Sequence, residues 1–205
     1  MDSAGSVLMI FAKAPEPGLV KSRLIPALGE EKAAEVYRSL MEKTLQTCRG
    51  AGFKNIQLWC YPNTDHPHFN AYSGRFHARL CAQRGNDLGE RMWFALSQAL
   101  TQYDHGIIVG CDCPDLCADD LITAVEKLEE GCDAVIGPSD DGGYYLLGTN
   151  QASHILFTDI TWGTATVYSE TMERIRELKL HCYELPEHYD VDRPEDLERY
   201  VNGDW

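Results

Sequence analysis

The sequence predicts a layered α/β fold. Short apolar runs alternate with stretches of helical period, glycine-rich stops and turns punctuate them, and no internal repeat or low-complexity tract interrupts the alternation. At 205 residues, 44% hydrophobic and 24% charged, the chain has the composition of an ordinary globular protein, and one domain spanning 1–205 is expected.

Val7–Ala12 is short and wholly apolar, as a buried first strand should be. A helix follows over Glu30–Arg49: Ala33, Val36, Tyr37, Leu40, Met41, Leu45 and Cys48 recur on one face, and Gly50 and Gly52 supply the stop. Ile56–Cys60 reads as the next strand. The YPNTDHPH stretch after it, with His66 and His68, reads as an irregular surface loop. Asp87 and Glu90 have capping-box spacing at the head of a helix reaching Leu100, and Gly106–Cys111 reads as the central strand. A helix over Ala118–Glu130 precedes strands at Asp133–Gly137 and Tyr144–Gly148, which the turn-like DDGG joins. A helix over Ala165–Leu180, a short strand at Cys182–Leu185 and a last helix starting near Pro194 complete the chain.

Lys and Arg number 18 against 32 Asp and Glu, a formal charge of −14. So acidic a surface repels a phosphate backbone and an anionic membrane, so nucleic acid and membrane are not expected partners. A small phosphorylated ligand remains allowed, because screening limits the distant field to roughly 8 Å and a local cationic cluster outweighs it. MDSAGSVLMIFAK lacks a basic start followed by a long apolar run. No apolar stretch approaches the roughly 20 residues of a membrane span, and a cytoplasmic protein is expected. The eight cysteines read as buried or partly buried thiols. Cys111, Cys113 and Cys117 lie close together, but no second pair at zinc spacing follows them.

Chemistry concentrates in a few segments. FAKAPEPGLVKSRL, Phe11 to Leu24, leaves the first strand and gathers Lys13, Lys21 and Arg23 in one loop stiffened by Pro15 and Pro17. Gly18 permits close backbone approach. Lysine as a point charge, arginine as a planar fork and backbone amides together suit a di- or triphosphate. Ala12, Lys13, Gly18, Lys21, Ser22 and Arg23 form the candidate phosphate-binding set; neither GxxxxGK[ST] nor GxGxxG spacing is present. In IIVGCDCPDL, Asp112 follows the central strand directly, where a carboxylate can reach a divalent ion, and Asp115 either joins the substrate site or fixes the next turn. In YDVDRPEDL, Asp190 and Asp192 share a face if the piece is extended. Asp192 is either the second metal ligand or a helix cap with Glu195. GPSDDGGYYLLG offers Asp141, Gly142 and Gly143 as substrate contacts, with Asp141 able to bind hydroxyls or accept a proton, although a plain hairpin turn looks the same. TDITWGT adds Trp162 and Thr164, the indole being either a face for a sugar or base or part of the core. QRGNDLGERM places Gly85, Asn86 and Arg91 within reach of the cleft.

FAKAPEPGLVKSRL, GCDCPDL, GPSDDGGYYLLG, DITWGT and DVDRPEDL together resemble an uncharacterised bacterial glycosyltransferase-like family of GT-A type, some of whose members are named for arsenosugar biosynthesis or for neighbouring radical-SAM proteins. The resemblance spans nearly the whole chain and keeps motif order. More distantly the chain is similar to molybdenum-cofactor guanylyltransferases and phospholactate guanylyltransferase, from which it departs in carrying Ala-Lys-Ala-Pro where they have a run of glycines. The resemblance implies a three-layer α/β/α sandwich on a mostly parallel sheet. It also implies Asp112 and Asp192 as ligands of Mg²⁺ or Mn²⁺, and Lys21 and Arg23 as phosphate contacts.

Three functions are compatible with these residues, the first of them the expected one and the others its alternatives. The first is glycosyl transfer from a nucleoside-diphosphate sugar to a small acceptor, with Asp112, Asp141 and Lys21 as the catalytic set. The second is nucleotidyl transfer from a nucleoside triphosphate to a phosphorylated acceptor, with the loop cations clamping the leaving pyrophosphate. The third is a nucleotide-binding domain without turnover.

Overall fold

The apolar run that opens the chain becomes β1, Ser6–Lys13, whose side chains are buried on both faces until Lys13 emerges. An uninterrupted apolar strand is what a sheet covered on both sides requires. In the computed structural model, which describes residues 5–202, β1 lies near the middle of a seven-stranded sheet. It pairs in parallel with β2 (Ile56–Tyr61) on one side and β4 (His105–Val109) on the other. β3 (Arg79–Ala82) extends the parallel array beyond β2. β6 (Tyr144–Thr149) runs antiparallel between β4 and β5 (Ala134–Pro138), and β7 (Cys182–Glu184) is parallel to β5. The order β3-β2-β1-β4-β6-β5-β7 is thus mostly parallel with a single reversed strand.

Alternation along β1 sorts its residues between two cores. Leu8, Ile10 and Ala12 face a layer formed by α2 (Glu30–Gly50), α3 (Pro67–Phe76) and α5 (Ala118–Glu129). Val7, Met9 and Phe11 face α4 (Leu88–Ala99), α6 (Val167–Glu177) and a 3-10 turn at His154–Phe157. The result is the three-layer sandwich. Met41 of α2 is fully buried in the first core; truncation of such a side chain costs about 2–5 kcal/mol. A short helical turn, α1 (Ile25–Leu28), precedes α2, and α7 (Pro194–Asn202) lies against it through Leu40, Tyr189 and Val191 with Val36, Leu197 and Tyr200.

Four expectations change. The segment after β2 is not wholly a loop: Pro67 opens α3, the His66 ring caps it by accepting from the His68 amide (3.3 Å), and Phe69, Tyr72 and Phe76 are buried at helical spacing. β3 was not foreseen, being four partly exposed residues without alternation. α6 begins at Val167 rather than Ala165, because Thr164 and Thr166 turn their hydroxyls into the loop before it (2.8 Å apart). It ends at Glu177, and Lys179 then turns the chain with φ +57°. At α4, Asp87 accepts from the Glu90 amide (2.8 Å) as foreseen, but the Glu90 carboxylate turns to Asn86. Residues 1–4, which begin the segment read for a leader, and 203–205 lie outside the described residues. Among the described residues no helix is long and apolar enough to cross a membrane.

Candidate active site

The parallel strands deliver their carboxyl ends to one edge of the sheet, where ligands of open α/β sheets collect. β1 is pinned at that edge: the Lys13 amide donates to the buried Tyr37 hydroxyl (2.9 Å), and the Ala14 amide to the Tyr61 carbonyl (2.7 Å). Past Pro15 and Pro17 the loop turns at Gly18 and again at Lys21, a lysine in the left-handed region with φ +48°. That turn sends the Lys21 side chain inward. It is 4% exposed, and its Nζ lies 2.5 Å from Asp112 Oδ1. Asp112 itself leaves β4 within three residues and keeps 46% of its side chain exposed, so it faces both the buried lysine and solvent.

The chain segment before α7 closes the far side. The Val191 amide donates to the Asp112 carbonyl (2.9 Å), which stitches the DVD sequence alongside β4. Asp192 then pairs with Arg23, a partly exposed ion pair tying the first loop to this segment. The helix-cap alternative for Asp192 gives way to Asp196, whose carboxylate accepts from the amides of Asp192 (3.0 Å) and Arg193 (2.7 Å).

Asp190, which sequence reasoning did not select, is the more informative carboxylate. Its Oδ1 is sealed from solvent and has no hydrogen-bond partner among the described residues. Burial pushes its carboxyl up to about 8, the negative charges of Asp112 and Asp141 add to the rise, and Lys21 opposes it. Asp190 therefore sits in the field of Asp112, Asp141 and the Lys21 ammonium. Among the described residues no group of three or more His, Cys, Asp or Glu side chains is set as a metal cage. The donor set instead fits a hard ion of the Mg²⁺ type, which takes one or two carboxylates and leaves its other positions to phosphates and water. A half-exposed carboxylate at Asp112 and an unpartnered oxygen on Asp190 meet that description.

The β5–β6 connection is a hairpin turn that carries Asp141. Asp141 Oδ1 accepts from the buried Ser139 hydroxyl (2.6 Å) and the Gly143 amide (2.9 Å), which fixes the carboxylate's direction. Gly142 has φ +87°, and a Cβ there would lie 2.2 Å from the Ala165 carbonyl oxygen; only glycine fits between this turn and the loop before α6. The Tyr168 amide donates to the Gly142 carbonyl (2.9 Å) at the same junction. Glu170 organises that loop, accepting from the Thr161 amide (2.6 Å) and from the hydroxyls of Thr161 (3.1 Å) and Thr166 (2.9 Å). These bonds, led by the Thr161 amide, hold the Glu170 carboxyl below its usual range. Thr164 is exposed beside them. Trp162 is half-buried against the second core and against Gly89, where a Cβ would lie 2.7 Å from the indole, so its core role is real.

Of the remaining predicted residues, Ala12 is buried at the end of β1 and its carbonyl accepts from the Gln83 side chain (3.3 Å), while Ser22 and Arg23 are exposed. Asp115 lies 3.9 Å from Arg199 of α7, which also reaches Asp140 at 3.7 Å and stacks on Tyr189 at 3.7 Å. No sequence signal marks Arg199 as the link between three loops. Arg91 lies 4.0 Å over the Tyr61 ring at the end of β2, and Asn86 is bonded to Glu90. Cys111 and Cys113 are buried as expected, and burial raises both thiols; Cys117 departs from the expectation and is exposed, at the N-cap of α5.

The mostly parallel α/β/α sandwich that carries this cationic loop and these acids is the fold also seen in nucleotide-diphospho-sugar transferases. The chain belongs to the family described as uncharacterized protein conserved in bacteria (DUF2064), which matches residues 44–164. It is 35% identical to a Desulfovibrio desulfuricans G20 protein proposed to be a nucleotide-diphospho-sugar transferase, whose crystal structure superposes with a TM-score of 0.86 over 97% of this chain and 87% of that one. It is 25% identical to the 2-phospho-L-lactate guanylyltransferase of Methanocaldococcus infernus over 90% of this chain and 81% of that protein. At 13% identity, glucosyl-3-phosphoglycerate synthase of Mycobacterium tuberculosis, solved with Mn²⁺, UDP and glucosyl-3-phosphoglycerate, shares the fold with a TM-score of 0.54 over 96% of this chain and 76% of that one. These relatives place the chain among the transferases, of the nucleotidyl- or glycosyl-transferring kind.

Proposed function

We propose that this protein is a nucleotidyltransferase, joining a nucleoside triphosphate to a phosphorylated small molecule and releasing pyrophosphate. The observation that supports the reading is a single loop that carries Lys13, Lys21 and Arg23 off the end of β1, with Lys21 against Asp112 and Arg23 against Asp192. Three cations suit the charge of a departing pyrophosphate, and the guanylyltransferase relative supports the same direction. An oxygen of the acceptor's phosphate attacks the α-phosphorus. The α–β bridging bond breaks, and its electron pair leaves with the pyrophosphate that Lys21 and Arg23 hold. A phosphate nucleophile is already ionised, so the step needs no general base. Asp141, oriented by Ser139 and Gly143, orients the acceptor through its hydroxyls, with Gly142, Gly143, Trp162 and Thr164 around it and Asp115 at the rim. Asp112 with Asp190 or Asp192 would hold a divalent ion, Mg²⁺ or Mn²⁺, which would supply charge neutralisation at the phosphates. The reading takes residues 1–205 as one catalytic domain acting in the cytoplasm on small molecules, without nucleic acid or a membrane.

Glycosyl transfer is the second reading, and the 35% identical relative favours it. There Lys21 and Arg23 hold a departing nucleoside diphosphate, and Asp141 binds the sugar or takes the acceptor's proton. One assay separates the two. With Mn²⁺ and a panel of nucleoside triphosphates, nucleotide sugars and phosphorylated acceptors, pyrophosphate release is the expected outcome. Release of nucleoside diphosphate from a nucleotide sugar would move the assignment to glycosyl transfer. Binding with neither product would leave a non-catalytic nucleotide-binding protein.

A further inference from the structure

Lysine is among the residues least often buried, because its ammonium is strongly hydrated. Lys21 is nonetheless 4% exposed, on a backbone forced to φ +48°, with its ammonium against Asp112. Beside that pair, Asp190 directs a sealed oxygen that has no hydrogen-bond partner among the described residues. A compact monocation therefore stands among the acids that the proposed transfer assigns to a dication. We infer that Lys21 makes the site selective for a metal–phosphate complex over free metal, by occupying the cation position at Asp112 until a phosphate chain draws its ammonium away.

Free metal entering at Asp112 gains two carboxylates but must displace a buried ammonium, and a buried charge left without its partner is costly. When metal and phosphate arrive together the costs change. The ion takes Asp112, and Lys21 exchanges one anion for another within the same loop. Each ligand then favours the other, and by linkage the favour is mutual. The positive φ at Lys21 fits such an exchange, since a turn held in a sparsely populated region has a lower-energy alternative to relax into.

The inference rests on the metal-dependent reading above, and the test separates the two. Mn²⁺ alone and inorganic pyrophosphate alone are titrated calorimetrically into the wild-type chain and into Lys21→Met and Lys21→Gln, with circular dichroism as the check on folding. Both variants are expected to bind Mn²⁺ at least tenfold more tightly than wild type and pyrophosphate at least tenfold more weakly. A general folding defect weakens both ligands and cannot produce opposite signs. Mn²⁺ binding that is no tighter in the variants, yet lost in Asp112→Asn, would overturn the role of Lys21 and leave the metal site standing. Mn²⁺ binding indifferent to Asp112→Asn in every background would overturn both. Wild type alone supplies a further check: Mn²⁺ and pyrophosphate together should raise Tm by more than the sum of their separate shifts, and additive shifts count against the inference.

Discussion

Asp112 is held by its carbonyl to Val191 and by its carboxylate to Lys21, so its side chain can be changed without unstitching the strand edge. Asp112→Asn leaves the buried Lys21 ammonium facing an amide oxygen instead of a carboxylate, so Tm without ligand is expected to fall by several degrees and nucleotide-dependent stabilisation by Mn²⁺ to vanish; an unchanged Mn²⁺ effect would remove Asp112 from the metal set. Asp190→Asn should do the reverse to the empty protein. Burial, with Asp112 and Asp141, holds its carboxyl up to about 8, so near neutral pH folding carries the cost of protonating it, a cost an amide does not have. Removing that cost should raise Tm by about 2–4 °C for each kcal/mol, whereas Mn²⁺-dependent stabilisation should fall. Asp112 was legible in the sequence because it follows an apolar strand within three residues, and Lys21 because it shares one Pro- and Gly-punctuated loop with Lys13 and Arg23. Asp190 was not singled out: YDVD offers two acids two residues apart on one face, and spacing cannot say which one the fold seals against Asp112 and which it turns to Arg23.

Among the elements, the hairpin turn and the loop before α6 fit together by backbone alone. Gly142→Ala meets a left-handed φ and the Ala165 carbonyl at once; a loss of roughly 2 kcal/mol, near 4–8 °C in Tm, is expected in thermal unfolding. Glu170→Ala leaves the turn in place but frees the 161–166 loop, so steady-state kinetics should show a raised KM for the acceptor with donor KM unchanged. An effect on donor KM alone would place that loop elsewhere in the reaction. Strands β1, β2, β4, β5 and β6 were legible because strands covered on both faces read as apolar runs. α3 was hidden by the polar YPNTDHPH run, although Phe69, Tyr72 and Phe76 carry the helical spacing once the run is passed. β3 gave no signal because an edge strand of four half-exposed residues needs no pattern.

Across the whole molecule, the sequence alternation predicted a layered α/β fold and the family resemblance a mostly parallel sheet, but the insertion of β6 between β4 and β5 depends on contacts far apart in the chain. The same distance applies to the site. Residues 13–23, 112, 139–143 and 190–192 meet only because the sheet brings its carboxyl edge together and α7 closes over it. On the proposed function those pieces bind one ligand, so donor and metal should stabilise the fold as a unit, by about 2.7 kcal/mol at a concentration 100 times Kd. The most direct measurement is anomalous diffraction from crystals grown with Mn²⁺ and a nucleoside triphosphate. The manganese peak should lie on the Asp112 carboxylate, with the phosphates against Lys21 and Arg23 and the lysine turned away from its present partner. A manganese peak remote from Asp112, or phosphates bound away from the loop that follows β1, would contradict the account.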